Sequence, residues 1–281
     1  MSRSRIALVL SVSATLLLTA CGGDDGGSSS SAAAGCTPEH TFDTVSKGTL
    51  TVGVYDLPPY AMTTGEDGMS GVDADIVREF AKRECLKLTA QPGNTAALIP
   101  SVQQGRSDLA IGDWYRTSDR AKIVNLSDPL YVDQMGIISK QGVSAISDLE
   151  GKNVGTVDGY LWVADLQALL GDKLRLYPSA VNMNQDLAAG RIDIGVDSYG
   201  SALQTQKDTG MKVEVAQSDP RVAASQEPAQ AGFPMSKNNQ KMLDAMNQVI
   251  ADLHKNGRIA EILGSYGLPS SAAETGDPRL I

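Results

Sequence analysis

The sequence is poor in the side chains from which most metal sites are built. Its 281 residues include two histidines, His40 and His254, and three cysteines, which form no Cys-x-x-Cys motif. Zinc and other transition metals are usually held by clustered His and Cys ligands. We therefore expect no metal site and no cofactor. The chain also offers no Ser-His-Asp constellation for nucleophilic catalysis.

The sequence also has no excess of basic residues. The chain has 24 Lys and Arg against 33 Asp and Glu, which gives a formal net charge of −9 at pH 7. Nucleic acids and anionic membrane surfaces attract positively charged proteins. This composition therefore argues against nucleic acid or an anionic membrane surface as a direct partner.

The N-terminal apolar run is shorter than a membrane-spanning helix, which needs about 20 apolar residues. It covers residues 6–18 and follows Arg3 and Arg5, an arrangement typical of an export signal over residues 1–20. The run ends in Leu-Thr-Ala-Cys21, which resembles the bacterial lipobox. This predicts that Cys21 carries a lipid such as palmitate and anchors an extracytoplasmic protein to the cell membrane. The alternative is a plain signal peptide with an incidental cysteine.

Residues 21–36 carry no large side chains and show no apolar periodicity. Such a segment cannot bury enough surface to offset its ordering entropy, so we expect a lipidated flexible tether. Beyond Cys21, the remaining cysteines are Cys36 and Cys85. An exported protein lies in a compartment that permits disulfides, so these two either pair or remain free thiols.

One sequence pattern occurs twice. Residues 102–113 and 187–197 each contain Gly-Arg followed by a short apolar strand, and residues 49–56 and 152–158 supply an earlier strand in each half. The order strand, helix, strand predicts two α/β lobes, although two ordinary units could match by chance. In open α/β sheets, ligands bind beyond the carboxyl ends of the strands. Four acids end these strands and are expected at one cleft: Asp56, Asp113, Asp158 and Asp197.

Apolar periodicity of 3.6 residues also predicts several helices. We expect helices over residues 74–85, 96–104, 160–170 and 238–256. Asp73 precedes the first of them and is expected to be its N-cap, because a side-chain oxygen there can accept from the first free amides.

Seven strings, in the same order, resemble the family 3 extracellular solute-binding proteins, the receptor components of polar amino-acid ABC importers. The strings are GTLTVGVYDLPPY, GVDADIVREFAKR, LIPSVQQGRSDLAIG, RTSDRAKIVNLSDPLY, ISDLEGKNVGTVDG, LAAGRIDIGVD and HKNGRIAEILGSYG. The resemblance implies a two-lobed periplasmic-binding-protein-like fold, each lobe an α/β sandwich, joined by a two-segment hinge. Lobe 1 would comprise residues 37–137 and 232–281, and lobe 2 residues 138–231. A monomer would close on a small solute and pass it to an ABC permease.

The resemblance also implies two roles at the site. Members usually hold the α-carboxylate of an amino acid with the Arg of a Thr-x-x-Arg string, which here is Arg120. A guanidinium suits a carboxylate because two parallel donors meet two oxygens. Members usually hold the α-amino group with an acid at the end of the second repeat strand, here Asp197. The alternative for Arg120 is a surface ion pair with Asp119 or Asp128.

The sequence departs from the family where small hydroxyl side chains are common. Tyr160 and Trp162 follow the glycine of the lobe 2 loop, and an acid and two aromatic residues stand at 113–115. Aromatic faces beside carboxylates favour a cation, so we expect an amino-acid-like solute that is cationic or zwitterionic. The alternative is that these aromatic residues only pack the lobes. The expected ligand contacts are Asp56, Tyr60, Asp113, Trp114, Tyr115, Arg120, Asp158, Tyr160, Trp162 and Asp197.

A second function remains open on the same scaffold. Some exported proteins that resemble this family are cyclohexadienyl dehydratases, which need a general acid and cationic groups for two carboxylates. The sequence offers several acids but Arg120 alone as an expected cleft cation, so a binding receptor is favoured over an enzyme.

Overall fold

The computed structural model describes residues 35–281. The expected signal peptide over 1–20, the lipidated Cys21 and all but the last two residues of the 21–36 tether lie outside the described residues. Within residues 35–281, no helix is both long enough and apolar enough to cross a bilayer.

Twelve strands form over the described residues. They are β1 (Thr49–Tyr55), β2 (Lys87–Gly93), β3 (Leu109–Ile111), β4 (Asn125–Leu126), β5 (Val132–Asp133), β6 (Met135–Ser139), β7 (Val154–Val157), β8 (Leu174–Tyr177), β9 (Ile194–Ser198), β10 (Lys212–Val215), β11 (Ala229–Gln230) and β12 (Pro234–Met235).

Eight α-helices accompany these strands in the same part of the chain. They are α1 (Val72–Arg83), α2 (Thr95–Gln103), α3 (Ser118–Ile123), α4 (Val163–Leu170), α5 (Ala180–Ala188), α6 (Tyr199–Gln206), α7 (Gln240–Lys255) and α8 (Arg258–Ser265). Short 3₁₀ turns lie at Glu66–Gly68, Ile146–Leu149, Gly171–Lys173, Ala223–Ser225 and Ser270–Ala273.

Two sheets organise residues 35–281. Sheet 1 has the order β2-β1-β3-β12-β4 and sheet 2 has the order β10-β6-β9-β7-β8. In each sheet the repeat strands are parallel, β1 beside β3 and β7 beside β9. We call sheet 1 with its helices lobe 1, and sheet 2 with its helices lobe 2. The prediction of two α/β lobes of similar build is confirmed.

The chain crosses between the lobes along β5 and β11. These two strands pair with each other in antiparallel fashion, with Asp133 opposite Ala229 and Val132 opposite Gln230. We call them the hinge strands. Strand β6 belongs wholly to sheet 2, so residues 135–137, which the expected boundary assigned to lobe 1, are part of the second sheet.

Each lobe has its own apolar core. Strand β1 is almost entirely buried, and α7 covers the lobe 1 core with side chains spaced three or four residues apart, from Met242 and Met246 to Val249 and Leu253. This spacing places one apolar stripe toward the sheet. A separate cluster around Ile137, Val154 and Leu166 fills lobe 2.

The expected N-cap of the first helix is wrong. Helix α1 begins at Val72 with Gly71 as its N-cap, so Asp73 lies inside the first turn. Its buried carboxylate accepts hydrogen bonds from the amides of Gly112 and Asp113 at 2.8 and 3.0 Å and from the Tyr131 hydroxyl at 2.6 Å. Asp73 therefore fixes the loop after β3 rather than capping its own helix.

The N-terminal end of the described chain is fastened to the end of α1. Cys36 and Cys85 form a disulfide, with 5.8 Å between their Cα atoms, which confirms their pairing. Beside it, His40 Nδ1 lies 2.7 Å from Glu84 Oε1. With Glu39, these two residues form a group close enough to share a metal ion, although the sequence predicted no metal site. The group does not line the cleft described below.

Candidate functional site

A small pocket lies between the two lobes, at the carboxyl ends of their parallel strands. It receives side chains from both lobes, as the facing strand ends predict. Its lining includes six of the expected contact residues: Asp113, Trp114, Tyr115, Arg120, Tyr160 and Trp162.

Asp113 occupies a constrained position at the end of β3. The preceding Gly112 has a φ of 130°, and Asp113 itself has a φ of 54°, a left-handed conformation that Asp tolerates better than most residues. The side chain is 8% exposed, and its Oδ1 has no hydrogen-bond partner within residues 35–281. Burial raises the pKa of Asp113 well above its usual value, and the nearby Asp133 carboxylate raises it further.

Arg120 reaches the pocket from the first turn of α3. Thr117 caps this helix by accepting from the Arg120 amide at 3.1 Å. The guanidinium lies over the Trp114 ring, 5.1 Å from its centroid. Its Nη1 donates to the Tyr115 carbonyl at 2.7 Å, and its Nη2 to the Gly159 carbonyl of lobe 2 at 3.4 Å. Burial lowers the pKa of Arg120 to about 10, which leaves it charged at neutral pH.

The alternative partners of Arg120 are engaged elsewhere. Asp119 pairs with Lys122 at 2.7 Å on the surface, and the Asp128 carboxylate acts on Arg116 rather than on Arg120. The guanidinium therefore turns toward the cleft.

Asp197 ends the repeat strand of lobe 2 and is fully buried. Its Oδ1 accepts from the Ser198 amide at 2.8 Å and from the Tyr160 hydroxyl at 3.1 Å. Its Oδ2 has no hydrogen-bond partner among the described residues. Burial raises the pKa of Asp197 to about 7, against two hydrogen bonds that lower it. This carboxyl therefore titrates near physiological pH in the closed pocket.

A chain of hydroxyl groups crosses the cleft to Asp197. The Tyr55 hydroxyl of lobe 1 lies 3.1 Å from the Tyr160 hydroxyl of lobe 2. Since Tyr160 donates its single proton to Asp197, Tyr55 is the donor in this pair. Thr95 adds a second contact between lobes, donating to the Asp158 carbonyl at 2.7 Å. The lobes thus meet in a closed arrangement.

Trp162 forms a wall of the pocket. Its Nε1 donates to Thr156 Oγ1 at 2.7 Å, and its ring meets Tyr160 and Tyr115 edge-on, at 5.2 and 6.3 Å between centroids. The face of Trp114 is covered by Arg120, and its own Nε1 is buried with no partner in the described part of the chain.

Four of the expected contact residues do not line this pocket in the described structure: Asp56, Tyr60, Asp158 and Asp197. Asp197 lies behind Tyr160, whose hydroxyl donates to it. Asp56 Oδ1 accepts from the Thr63 amide at 3.0 Å and fixes its own loop. The Asp158 side chain is exposed, and Tyr60 stacks on Tyr131 with 5.1 Å between ring centroids, behind the pocket.

Sequence reasoning missed several pocket groups, including Thr95 and Ser198. Ser198 directly follows Asp197 and caps α6 by accepting from the Ser201 amide. Its place beside an expected contact residue and before a helix could have indicated that it lies at the pocket. Asp133 on hinge strand β5 gave no local signal. It is buried beside the pocket and accepts from the Tyr115 hydroxyl at 2.8 Å.

The arrangement is suited to holding a charged solute. Arg120 offers donors for an anionic group and Asp113 offers an unpartnered oxygen in the pocket lining, whereas Asp197 keeps its unpartnered oxygen behind Tyr160. Hydrogen bonds to ionised groups are the strong ones in such a buried setting.

Comparison with known proteins agrees with this geometry. The sequence matches the model of the bacterial extracellular solute-binding proteins, family 3, over residues 50–269. It is 27% identical over 219 residues to the L-cystine-binding protein TcyJ of Escherichia coli, covering 76% of this chain and 80% of that protein. It is 25% identical over 236 residues to the lysine/arginine/ornithine-binding periplasmic protein of Escherichia coli, covering 80% and 87%. An ancestral arginine-binding protein bound to arginine superposes with a TM-score of 0.69 and 25% identity, covering 78% and 98% of the two chains.

Proposed function

Because the chain belongs to the bacterial extracellular solute-binding proteins of family 3, we propose that it captures a small amino-acid-like solute between its lobes and delivers it to an ABC permease. The predicted family is confirmed by the family match. The family and the similar proteins are named for binding, which agrees with the prediction of a receptor rather than an enzyme.

The observation that carries this proposal is that Arg120 and Asp113 line one pocket between the lobes, with a second acid, Asp197, directly behind Tyr160 of the lining. Arg120 binds the carboxylate of the solute, because its guanidinium faces the cleft and keeps donors beyond its bond to Tyr115. Asp197 and Asp113 bind positively charged nitrogen, each through an oxygen that has no partner within residues 35–281.

The aromatic residues take part mainly as walls. The Trp114 face is stacked on Arg120 and Trp162 is held by Thr156, so stacking on a ligand cation is not their main contribution. The ligand's charge is met by Arg120 and the acids, which favours a cationic or zwitterionic amino acid.

Capture involves closure of the two lobes. The contacts of Tyr55 with Tyr160 and of Thr95 with the Asp158 carbonyl join the lobes directly, and within residues 35–281 the hinge strands carry the chain from one lobe to the other. A ligand that touches both lobes shifts the population toward the closed form.

The same proposal includes membrane anchoring through Cys21. The lipobox-like string and the polar segment after it support an extracytoplasmic lipoprotein whose tether holds the receptor near its permease. Mass spectrometry of the mature N-terminus tests this: a diacylated Cys21 is expected, and an unmodified cysteine or cleavage elsewhere contradicts it.

Calorimetry against a panel of amino acids and related amines tests the receptor function. We expect at least one micromolar ligand, together with a rise in melting temperature when that ligand is present. A folded protein that binds none of the panel would contradict the proposed ligand class.

A further inference from the structure

The pocket and the layer directly behind it hold more buried acidic groups than basic ones. Asp113 lines the pocket from lobe 1, whereas Asp197 of lobe 2 lies behind Tyr160, outside the pocket lining. Each keeps one buried carboxylate oxygen without a hydrogen-bond partner in the described chain. Arg120 is the only cation among the described residues that line the pocket. Burial of an uncompensated charge is costly, so each acid either keeps its proton, as its raised pKa indicates, or ionises against a positive charge that the occupant supplies.

The surroundings of Asp113 do not supply it. The ionisable groups that act on this carboxyl are Tyr60, Asp73, Tyr115, Arg120, Tyr131 and Asp133. Apart from Arg120 they are acids or neutral phenols. Asp73 and Asp133 accept from Tyr131 and Tyr115 and both raise the pKa of Asp113, so neither supplies a positive partner for it.

Asp113 also has a fixed direction. The amides of Gly112 and Asp113 both donate to Asp73 Oδ2, which holds the loop after β3 and keeps the side chain at the pocket. The carboxyl cannot easily turn to solvent, because the residue is 8% exposed. A ligand therefore meets this acid whenever the lobes close.

The geometry points to Asp113 as the residue that sets charge specificity, so that the receptor selects an amino acid with one excess positive charge over a zwitterion of the same shape. This inference rests on the proposed function. In such a ligand the carboxylate meets Arg120, and its two cationic groups meet Asp113 and Asp197. A zwitterion leaves one of the acids unpaired, so closure around it requires that acid to bind a proton.

Calorimetry with L-arginine and its neutral near-isostere L-citrulline tests the selection. We expect arginine to bind at least about tenfold more tightly, in line with the strength of close buried charge pairs. Titrations in buffers with different ionisation enthalpies should show uptake of up to one proton with citrulline and about none with arginine. The affinity for citrulline should then fall by up to about tenfold for each unit by which the pH rises near neutrality.

Two substitutions assign this preference to the residue. Asp113→Asn keeps the shape and tolerates the left-handed backbone, and Asp113→Ser removes the carboxamide as well. Both should reduce the arginine preference by about tenfold or more and abolish the proton uptake that depends on Asp113. Asp172→Asn, which removes an exposed acid outside the pocket lining, should retain the wild-type preference. Melting of each ligand-free variant checks its folding.

The outcomes separate this inference from the receptor function. Failure of the folded protein to bind any amino acid would reject the function itself. If the tightest ligand of the panel is a zwitterion, or if folded Asp113→Asn and Asp113→Ser keep the wild-type preference, the assignment of Asp113 is overturned while the receptor function stands.

Discussion

At the scale of single residues, burial decides what the charged groups of the cleft can do. Arg116 and Arg120 lie four positions apart, yet Arg116 donates to the Ser127 carbonyl and to Gln230, whereas Arg120 faces the pocket. The first arginine is therefore structural and the second is available to a ligand.

Arg120→Ala should weaken ligands that carry a carboxylate by about 2–5 kcal/mol, the range for removing one partner of a buried charge pair. Calorimetry with the tightest ligand of the panel measures this loss. The ligand-free unfolding midpoint should change little, and Arg106→Ala, at an exposed position, serves as the control. Unchanged affinity in Arg120→Ala would remove this residue from the site.

Asp197 should make the stability of the ligand-free closed protein depend on pH. Its pKa is raised from 3.8 to about 7 by burial, so the folded state holds this proton more strongly than the unfolded state does. The stabilisation by the protonated carboxyl is fully present below pH 3.8 and is lost as the pH rises to about 7. Between these two pH values, the free energy of unfolding falls by up to about 1.4 kcal/mol per pH unit.

Asp197→Asn should therefore flatten the decline in stability between pH 4 and 7, while it weakens ligands with a charged nitrogen. Urea unfolding across this pH range, with Asp172→Asn as the control, measures the first effect, and calorimetry measures the second. A variant whose pH dependence matches the wild type would show that Asp197 keeps an ordinary pKa.

At the scale of elements, the buried side chain of Gln230 ties hinge strand β11 to its surroundings. Gln230 on β11 accepts from Arg116 Nη1 at 3.0 Å and from the Arg279 amide at 2.8 Å. It donates to the carbonyls of Thr275 and Asp277 at 2.9 and 2.8 Å. The segment over residues 275–281 thus packs on the hinge strand and on the start of α3.

Gln230→Ala should lower the free energy of unfolding by about 1–3 kcal/mol for each buried group left unsatisfied. Denaturant unfolding measures this loss. Gln226→Ala, at a less buried position nearby, is the matched control. Equal stability of the two variants would contradict the role assigned to Gln230.

At the scale of the whole molecule, the closed state depends on a small number of contacts across the cleft. The hydrogen bond between Tyr55 and Tyr160 exists only when the lobes meet, whereas the bond from Tyr160 to Asp197 lies within lobe 2. The first bond therefore contributes to ligand affinity by stabilising the closed form, and the second holds the Tyr160 hydroxyl in place for it.

Tyr160→Phe should weaken ligand binding by about 0.5–1.5 kcal/mol, the net value of a typical hydrogen bond. Scattering should show less compaction at a fixed subsaturating ligand concentration. Tyr55→Phe and the double variant complete a double-mutant cycle. The losses of binding free energy in the two single variants should not add, because the two hydroxyls are hydrogen-bonded to each other. Additive losses would show that the two hydroxyls act separately.

The sequence by itself determined the two lobes, the family and part of the site. Its repeat and its apolar spacing are local signals, because burial on one face of a helix or strand sets them. They placed Asp113 and Asp197 at strand ends, and the resemblance supplied Arg120. Tertiary structure decided the rest. The Thr63 amide, seven residues away, holds Asp56 outside the pocket, and Asp133 of hinge strand β5 lies beside the pocket because it binds the hydroxyl of Tyr115 in the lining. Such contacts depend on how two separately folded sheets face each other, which periodicity along one chain does not record.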